Sequence, residues 1–158
     1  MKSEAEDLPV IGWREWVKLP DLNVGAIKAK VDTGARSSSI HTSSIETFRS
    51  GGTEMVRFSI LPHQKSEKKE TVAEAEILEL RKVRSSNGEV AVRPVIVTRL
   101  SLMGRVWPVE LTLANRDEMG FRMLLGREAF RGRFLVDASR SFAGGRLRRK
   151  NKRRSDNS

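Results

Sequence analysis

The chain has 158 residues and no cysteine. That excludes disulfides, thiol nucleophiles and zinc–thiolate centres together, and it fits a reducing compartment. Histidine is scarce as well: only His41 and His63 occur. There is no His-Glu-x-x-His pattern and no Gly-Lys-Ser/Thr phosphate loop, so the sequence offers neither the common zinc-hydrolase ligand set nor that nucleotide signature. No apolar run approaches the roughly 20 residues of a membrane-spanning helix. The longest aliphatic stretches, such as Pro94-Val95-Ile96-Val97, have strand length. The first residues are polar and acidic, unlike a secretion signal. These absences give the expectation of a cytoplasmic protein with no membrane association, no metal and no cofactor.

What is present is mostly charge and short alternating segments. The formal net charge is +10. Residues 146–158 hold seven Lys/Arg and one Asp, so the rest of the chain is only mildly basic. Leu147 is the one apolar side chain of that tail, too little to pack, and the tail is expected to be disordered. A flexible leader is expected over 1–9 and one domain over 10–145.

Period-2 patterning dominates that domain. In 27–31, Ile27, Ala29 and Val31 share one face while Lys28 and Lys30 share the other, and this strand ends on Asp32-Thr33-Gly34. Further strands are expected near 10–17, 56–60, 71–83, 90–98, 106–113 and 134–136. A hairpin signal stands at Asn87-Gly88 and a turn at Met103-Gly104. Pro94 and Pro108 argue for edges or bulges. A short apolar run, Met123-Leu124-Leu125-Gly126, precedes a helical turn at 127–130. Seven to nine short strands with no long helix predict an all-β barrel or sandwich.

Asp-Thr-Gly at a strand end suits one chemistry in particular. Glycine admits close backbone approach to a carboxylate, and a threonine hydroxyl can donate and accept. Two such carboxylates held together share a proton, one serving as base and the other as acid. The tripeptide is also common in ordinary turns, so the motif by itself leaves both readings open. Val136-Asp137-Ala138-Ser139 echoes it without the glycine, which makes Asp137 a cap or turn residue. With one copy of the motif per chain, the second carboxylate is expected from a second subunit.

The segments Ala29–Arg36, Ser39-Ile40-His41, Arg93–Ile96 and Asn115–Asp117 through Leu124–Arg127 resemble a bacterial family of retropepsin-like aspartic proteases. It is often labelled "ATP-dependent zinc protease" and includes the RimB proteins. The likeness covers about residues 10–142. It implies a single-lobed, closed retropepsin-like β-barrel acting as a homodimer. It also implies Asp32, Thr33 and Gly34 as the catalytic turn, with Leu124, Leu125, Gly126 and Arg127 supporting it. Arg127 lacks the acidic partner that follows the turn in viral retropepsins, so Asp117, Glu118 or Glu128 is expected to meet it. Ala35, Arg36, His41, Arg84, Arg93 and Arg116 are expected to contact substrate, since arginine forks match carboxylates. A flap is expected near 79–93. The family is linked to RimK-type glutamate ligases, which append glutamates to a small-subunit ribosomal protein, so the implied substrate is an acidic, glutamate-rich tail. The basic tail could add contact with ribosomal RNA. The competing expectation is a non-catalytic module of the same fold that binds acidic protein or ribosomal RNA.

Overall fold

A computed structural model describes residues 7–61, 70–84, 87–115 and 120–145. The leader before residue 7 and the basic tail 146–158 lie outside these residues. So do His63, the Ser85-Ser86 tip of the expected flap, and Arg116, Asp117 and Glu118.

The strands are β1 (Val10–Ile11), β2 (Arg14–Leu19), β3 (Val24–Asp32), β4 (Ser38–His41), β5 (Ser44–Ser50) and β6 (Thr53–Ile60). They continue with β7 (Thr71–Glu76), β8 (Glu79–Arg84), β9 (Val90–Leu102), β10 (Arg105–Ala114), β11 (Met123–Gly126) and β12 (Leu135–Val136). One short helix, α1 (Arg127–Phe130), follows β11. Six strands run in the order β10-β4-β11-β3-β2-β9, and the β9–β10 pairing closes the ring. The expected all-β closed barrel is therefore the architecture formed. β8 adds to the outside of β9, β5-β6-β7 make a separate sheet, and β1 pairs with β12.

The period-2 pattern decides which side chains fill the barrel. Ala29, Met123 and Ile40 stand in register on β3, β11 and β4, and all three are buried. Ile27, Val31, Leu125, Leu111 and Leu113 extend the same interior. On the opposite face of these strands, Lys30 stands beside Leu124, which stands beside Ser39, which pairs with Thr112. Asp32 belongs to that outer face, two residues beyond Lys30.

Several boundaries depart from the sequence expectation. The strand expected near 10–17 is broken at Gly12-Trp13. There the Trp13 N–H donates to the Arg140 carbonyl at 2.9 Å, and a Cβ on Gly12 would collide with that same carbonyl group. The segment 71–83 is two strands, because β7 pairs with β6 while β8 pairs with β9 in another sheet. Met103 and Gly104 both adopt positive φ and form the β9–β10 turn. Each proline is paired on one side only. Pro94 stands opposite Leu80 on β8 but just past the β10 ladder, which ends at Thr112–Val95, and Pro108 stands opposite Arg99 on β9 but before the β4 ladder begins at Leu111–Ser38.

The C-terminal segment is tied down by a buried carboxylate. Glu15 is fully buried and accepts N–H bonds from Gly12 at 2.7 Å, Ala143 at 2.8 Å and Gly144 at 3.0 Å. Phe142 stacks on Trp16, and the Arg14 guanidinium lies over both Trp13 and Phe142. Glu15→Ala strips three backbone donors of their acceptor, one buried and two partly buried, which should cost about 2 kcal/mol. The expected result is a lower denaturant midpoint with an unchanged m-value; an unshifted midpoint would show that the clasp carries no stability.

Candidate active site

β3 carries Asp32 to the rim of the barrel, and the chain turns there. The Gly34 N–H donates to Asp32 Oδ1 at 2.9 Å, and the Ala35 N–H donates to the Asp32 carbonyl at 3.2 Å. Asp32 is half-buried; Thr33 and Gly34 are exposed. Just before the aspartate, the Val31 N–H donates to the Trp13 carbonyl at 2.7 Å, so β2 grips the turn from one side.

β11 grips it from the other. Gly126 pairs with Asp32 in the parallel β3–β11 ladder. Its N–H donates to Ser38 Oγ at 3.0 Å, and a Cβ there would collide with the backbone of Ser37 and Arg36. The Arg127 N–H donates to the Ala35 carbonyl at 2.7 Å, and the Glu128 N–H donates to the Arg36 carbonyl at 3.2 Å. Arg127 also reaches the Gly34 carbonyl through Nη1 at 3.3 Å. Its partner among the described residues is thus a backbone oxygen, while Glu128 pairs with Arg131 at 2.8 Å. The Leu124–Arg127 segment stands where a support for the Asp32 turn would have to stand. Leu125 fills the core and Leu124 faces a cleft.

That cleft, about 670 Å³, lies between the outer face of β3, β11, β4 and β10 and the β8–β9 hairpin. Its floor includes Lys30, Leu124, Ser39, Thr112 and His41; Arg81, Val83, Ala91 and Arg93 line the hairpin side. The β8–β9 hairpin, the segment expected to be a flap, forms one wall of this cleft. Among the described residues six cations reach the lining, namely Lys30, Arg81, Lys82, Arg84, Arg93 and Arg122, against the single carboxylate of Glu89. Arg81 is already engaged by Glu79 and by Glu110 across the hairpin root, and these bonds raise its pKa above the usual guanidinium value. Asp32 is not on this lining. It stands one side-chain row beyond Lys30, about 7 Å along β3.

The residues expected to contact substrate divide accordingly. His41, Arg84 and Arg93 come together in the cleft. Arg36 does not join them. It lines a second, smaller cleft of about 470 Å³ with Glu110 and Glu128, and Ser37, Ser38 and Arg81 line both clefts. Ala35 contributes backbone bonds within the turn. Lys30, Lys82 and Arg122 were not singled out from the sequence. Only Lys30 had a signal there, since period 2 places it on the face of Asp32.

Two other aspartates are accounted for elsewhere. Asp21 holds Arg99 through a pair of short contacts, and hydrogen bonding from that guanidinium lowers its carboxyl below the ordinary range. Asp137 accepts from the Ser139 hydroxyl and N–H, which lowers its carboxyl likewise and makes it the expected turn residue. Among the described residues no three His, Asp or Glu side chains converge, so the zinc of the older family label finds no donor set in this part of one chain. No helix among them is long and apolar enough to cross a membrane.

Known proteins place this arrangement. A "Probable alpha-L-glutamate ligase" of Shewanella halifaxensis is 49% identical over 136 residues, which is 86% of this chain and 30% of that protein. One of the same description from Desulfotalea psychrophila is 43% identical over 138 residues, again 30% of its length. The chain therefore spans about a third of these curated relatives. A crystal structure of a Legionella pneumophila protein of unknown function superposes with a TM-score of 0.72 at 28% identity, covering 86% of this chain and 98% of that one. The family described as "Retropepsin-like aspartic endopeptidase RimB" matches residues 10–146, and the chain belongs to this RimB-like family.

Proposed function

We propose that the chain is an aspartic endopeptidase that cleaves acidic, glutamate-rich protein tails, using Asp32 and its counterpart from a second copy. The observation that carries this reading is the pairing of one Asp-Thr-Gly turn, braced on both sides, with an adjoining cleft lined, among the described residues, by six cations against one carboxylate. In the proposed reaction one carboxylate takes a proton from water as its oxygen attacks the scissile carbonyl carbon. The other, protonated, gives its proton to the carbonyl oxygen. The tetrahedral intermediate then re-forms the carbonyl by returning a hydroxyl proton to the second carboxylate, the C–N bond breaks, and the departing nitrogen is protonated by the carboxylic acid generated in the first step. Exposed Thr33 and Gly34 leave the turn open to an isologous partner.

The ligase name borne by the longer relatives supports the substrate class. In them, a segment like this chain shares a polypeptide with a protein described as handling glutamate. A binding module without catalysis would share the cleft but would not need so constrained a carboxylate. The test is incubation of the protein with a glutamate-rich peptide and with a lysine-rich one of equal length. Cleavage of the first and not the second is expected. Equal cleavage would overturn the acidic preference, and binding of the acidic peptide with no cleavage across pH would leave the module reading.

A further inference from the structure

We infer that the end of the cleft remote from Asp32, at His41 with Arg122 and Arg93, is an anchoring subsite for a carboxylate about five residues from the scissile bond. The site would then measure acidic tails by length and leave short ones uncut. This deepens the proposed function and rests on its placing of an acidic peptide in the cleft.

His41 ends β4, on the lining of the cleft. Its Nδ1 is buried and has no hydrogen-bond partner among the described residues, although the residue is otherwise only half-buried. A buried ring nitrogen with nothing to bond is unfavourable, and a ligand oxygen arriving through the cleft would satisfy it. The His41 backbone N–H donates to the carbonyl of Arg122, the residue just before β11, at 2.7 Å. Arg93 faces the same cleft from the hairpin. A ring N–H on a lining that also carries two guanidinium groups suits a carboxylate.

Strand register fixes how far this lies from the chemistry. Ala29, Met123 and Ile40 stand side by side on β3, β11 and β4. Asp32 lies three residues beyond Ala29 in one direction, and His41 one residue beyond Ile40 in the other. Four residues along the strands and two strand spacings across them give a separation of about 16 Å. An extended peptide covers that in about five residues. Lys30 lies between, so a chain crossing the floor would meet Asp32, then Lys30, then the His41 end. Glu89, on the hairpin, is the one lining group of opposite sign among the described residues.

The experiment uses the full-length Asp32→Asn protein, so that binding is read without cleavage. Oligoglutamates from about three to about twelve residues are titrated calorimetrically, a range that brackets the predicted span. Affinity should rise in a step near five or six residues and then flatten. His41→Ala, added to Asp32→Asn, should abolish the step and weaken long peptides about tenfold or more while leaving the shortest unchanged. His41→Asn, which keeps a donor, should restore part of it. Arg93→Ala, on the hairpin wall, should weaken long peptides by the same route without touching β4. A step that survives His41→Ala and Arg93→Ala, or equal losses at all lengths, overturns the subsite. Binding without any step overturns it too while sparing the acidic-peptide reading. Absence of binding at every length sinks both.

Discussion

Asp32→Asn should lower turnover of a glutamate-rich peptide about 10²–10⁴-fold, the range for loss of a positioned acid–base group. The substitution is nearly isosteric. The amide oxygen can still accept the Gly34 N–H now held at 2.9 Å, so the turn and the fold should persist. The variant should therefore melt like the parent and still bind acidic peptide. A sharper result comes from mixing the two proteins after exchange of subunits. If each chain supplies one carboxylate to a shared site, a mixed dimer has lost half its dyad. Activity then follows the square of the active fraction, and an equal mixture retains about a quarter of the parent's activity under isologous pairing. Independent sites would retain about half. Activity that tracks the linear fraction, or an active species that sediments as a monomer, would remove the shared-dyad mechanism.

Much of this was legible in the residues because the deciding signals are local. Alternation in 27–31 gives both the core face of β3 and the arrival of Asp32 at a strand end. Gly126 after three apolar residues marks β11, and Met103-Gly104 marks a tight turn whose two positive φ angles the structure adopts. What escaped depends on partners remote in sequence. Glu15 reads as one more polar residue in a strand, yet its hydrogen-bond donors Ala143 and Gly144 lie some 130 residues away. Arg122 reads as a loop residue and becomes part of the cleft because β4 and β11 pair. Arg36 shows the reverse. Proximity in sequence to Asp32 suggested shared duty with His41 and Arg93, but Arg36 lines the neighbouring cleft, which borders the first along Ser37, Ser38 and Arg81.

Gly126→Ala should be severely damaging and, unlike the comparably tight Gly12, it stands beside Asp32. Its backbone, at φ −84 and ψ 166, is one that any residue can adopt, so conformational freedom is not what requires glycine here. Space is. A Cβ would stand 2.6 Å from the Ser37 carbonyl carbon and 2.7 Å from that of Arg36, and would collide with the Ser37 oxygen. These are main-chain atoms and cannot rotate aside. Relief requires β11 to draw back from the segment between Asp32 and β4, which stretches the bonds to Ser38, Ala35 and Arg36 that fix the turn. Overpacking of this kind costs about 1–3 kcal/mol or more. The loss should appear twice, as a lower denaturant midpoint and as a fall in kcat larger than any rise in KM, because the displaced group is the carboxylate rather than the cleft. Gly25→Ala is the matched control. It lies on the same strand as Asp32, and nothing stands within 4 Å of the added carbon. It should be neutral or slightly stabilising, since alanine is favoured over glycine within a strand. Ser38→Ala separates the contributions further by removing the hydroxyl that accepts the Gly126 N–H while leaving the close approach intact. Should Gly126→Ala match Gly25→Ala in both stability and kcat, β11 is not the brace of the catalytic turn, and the register that sets Gly126 beside Asp32 has no part in the chemistry.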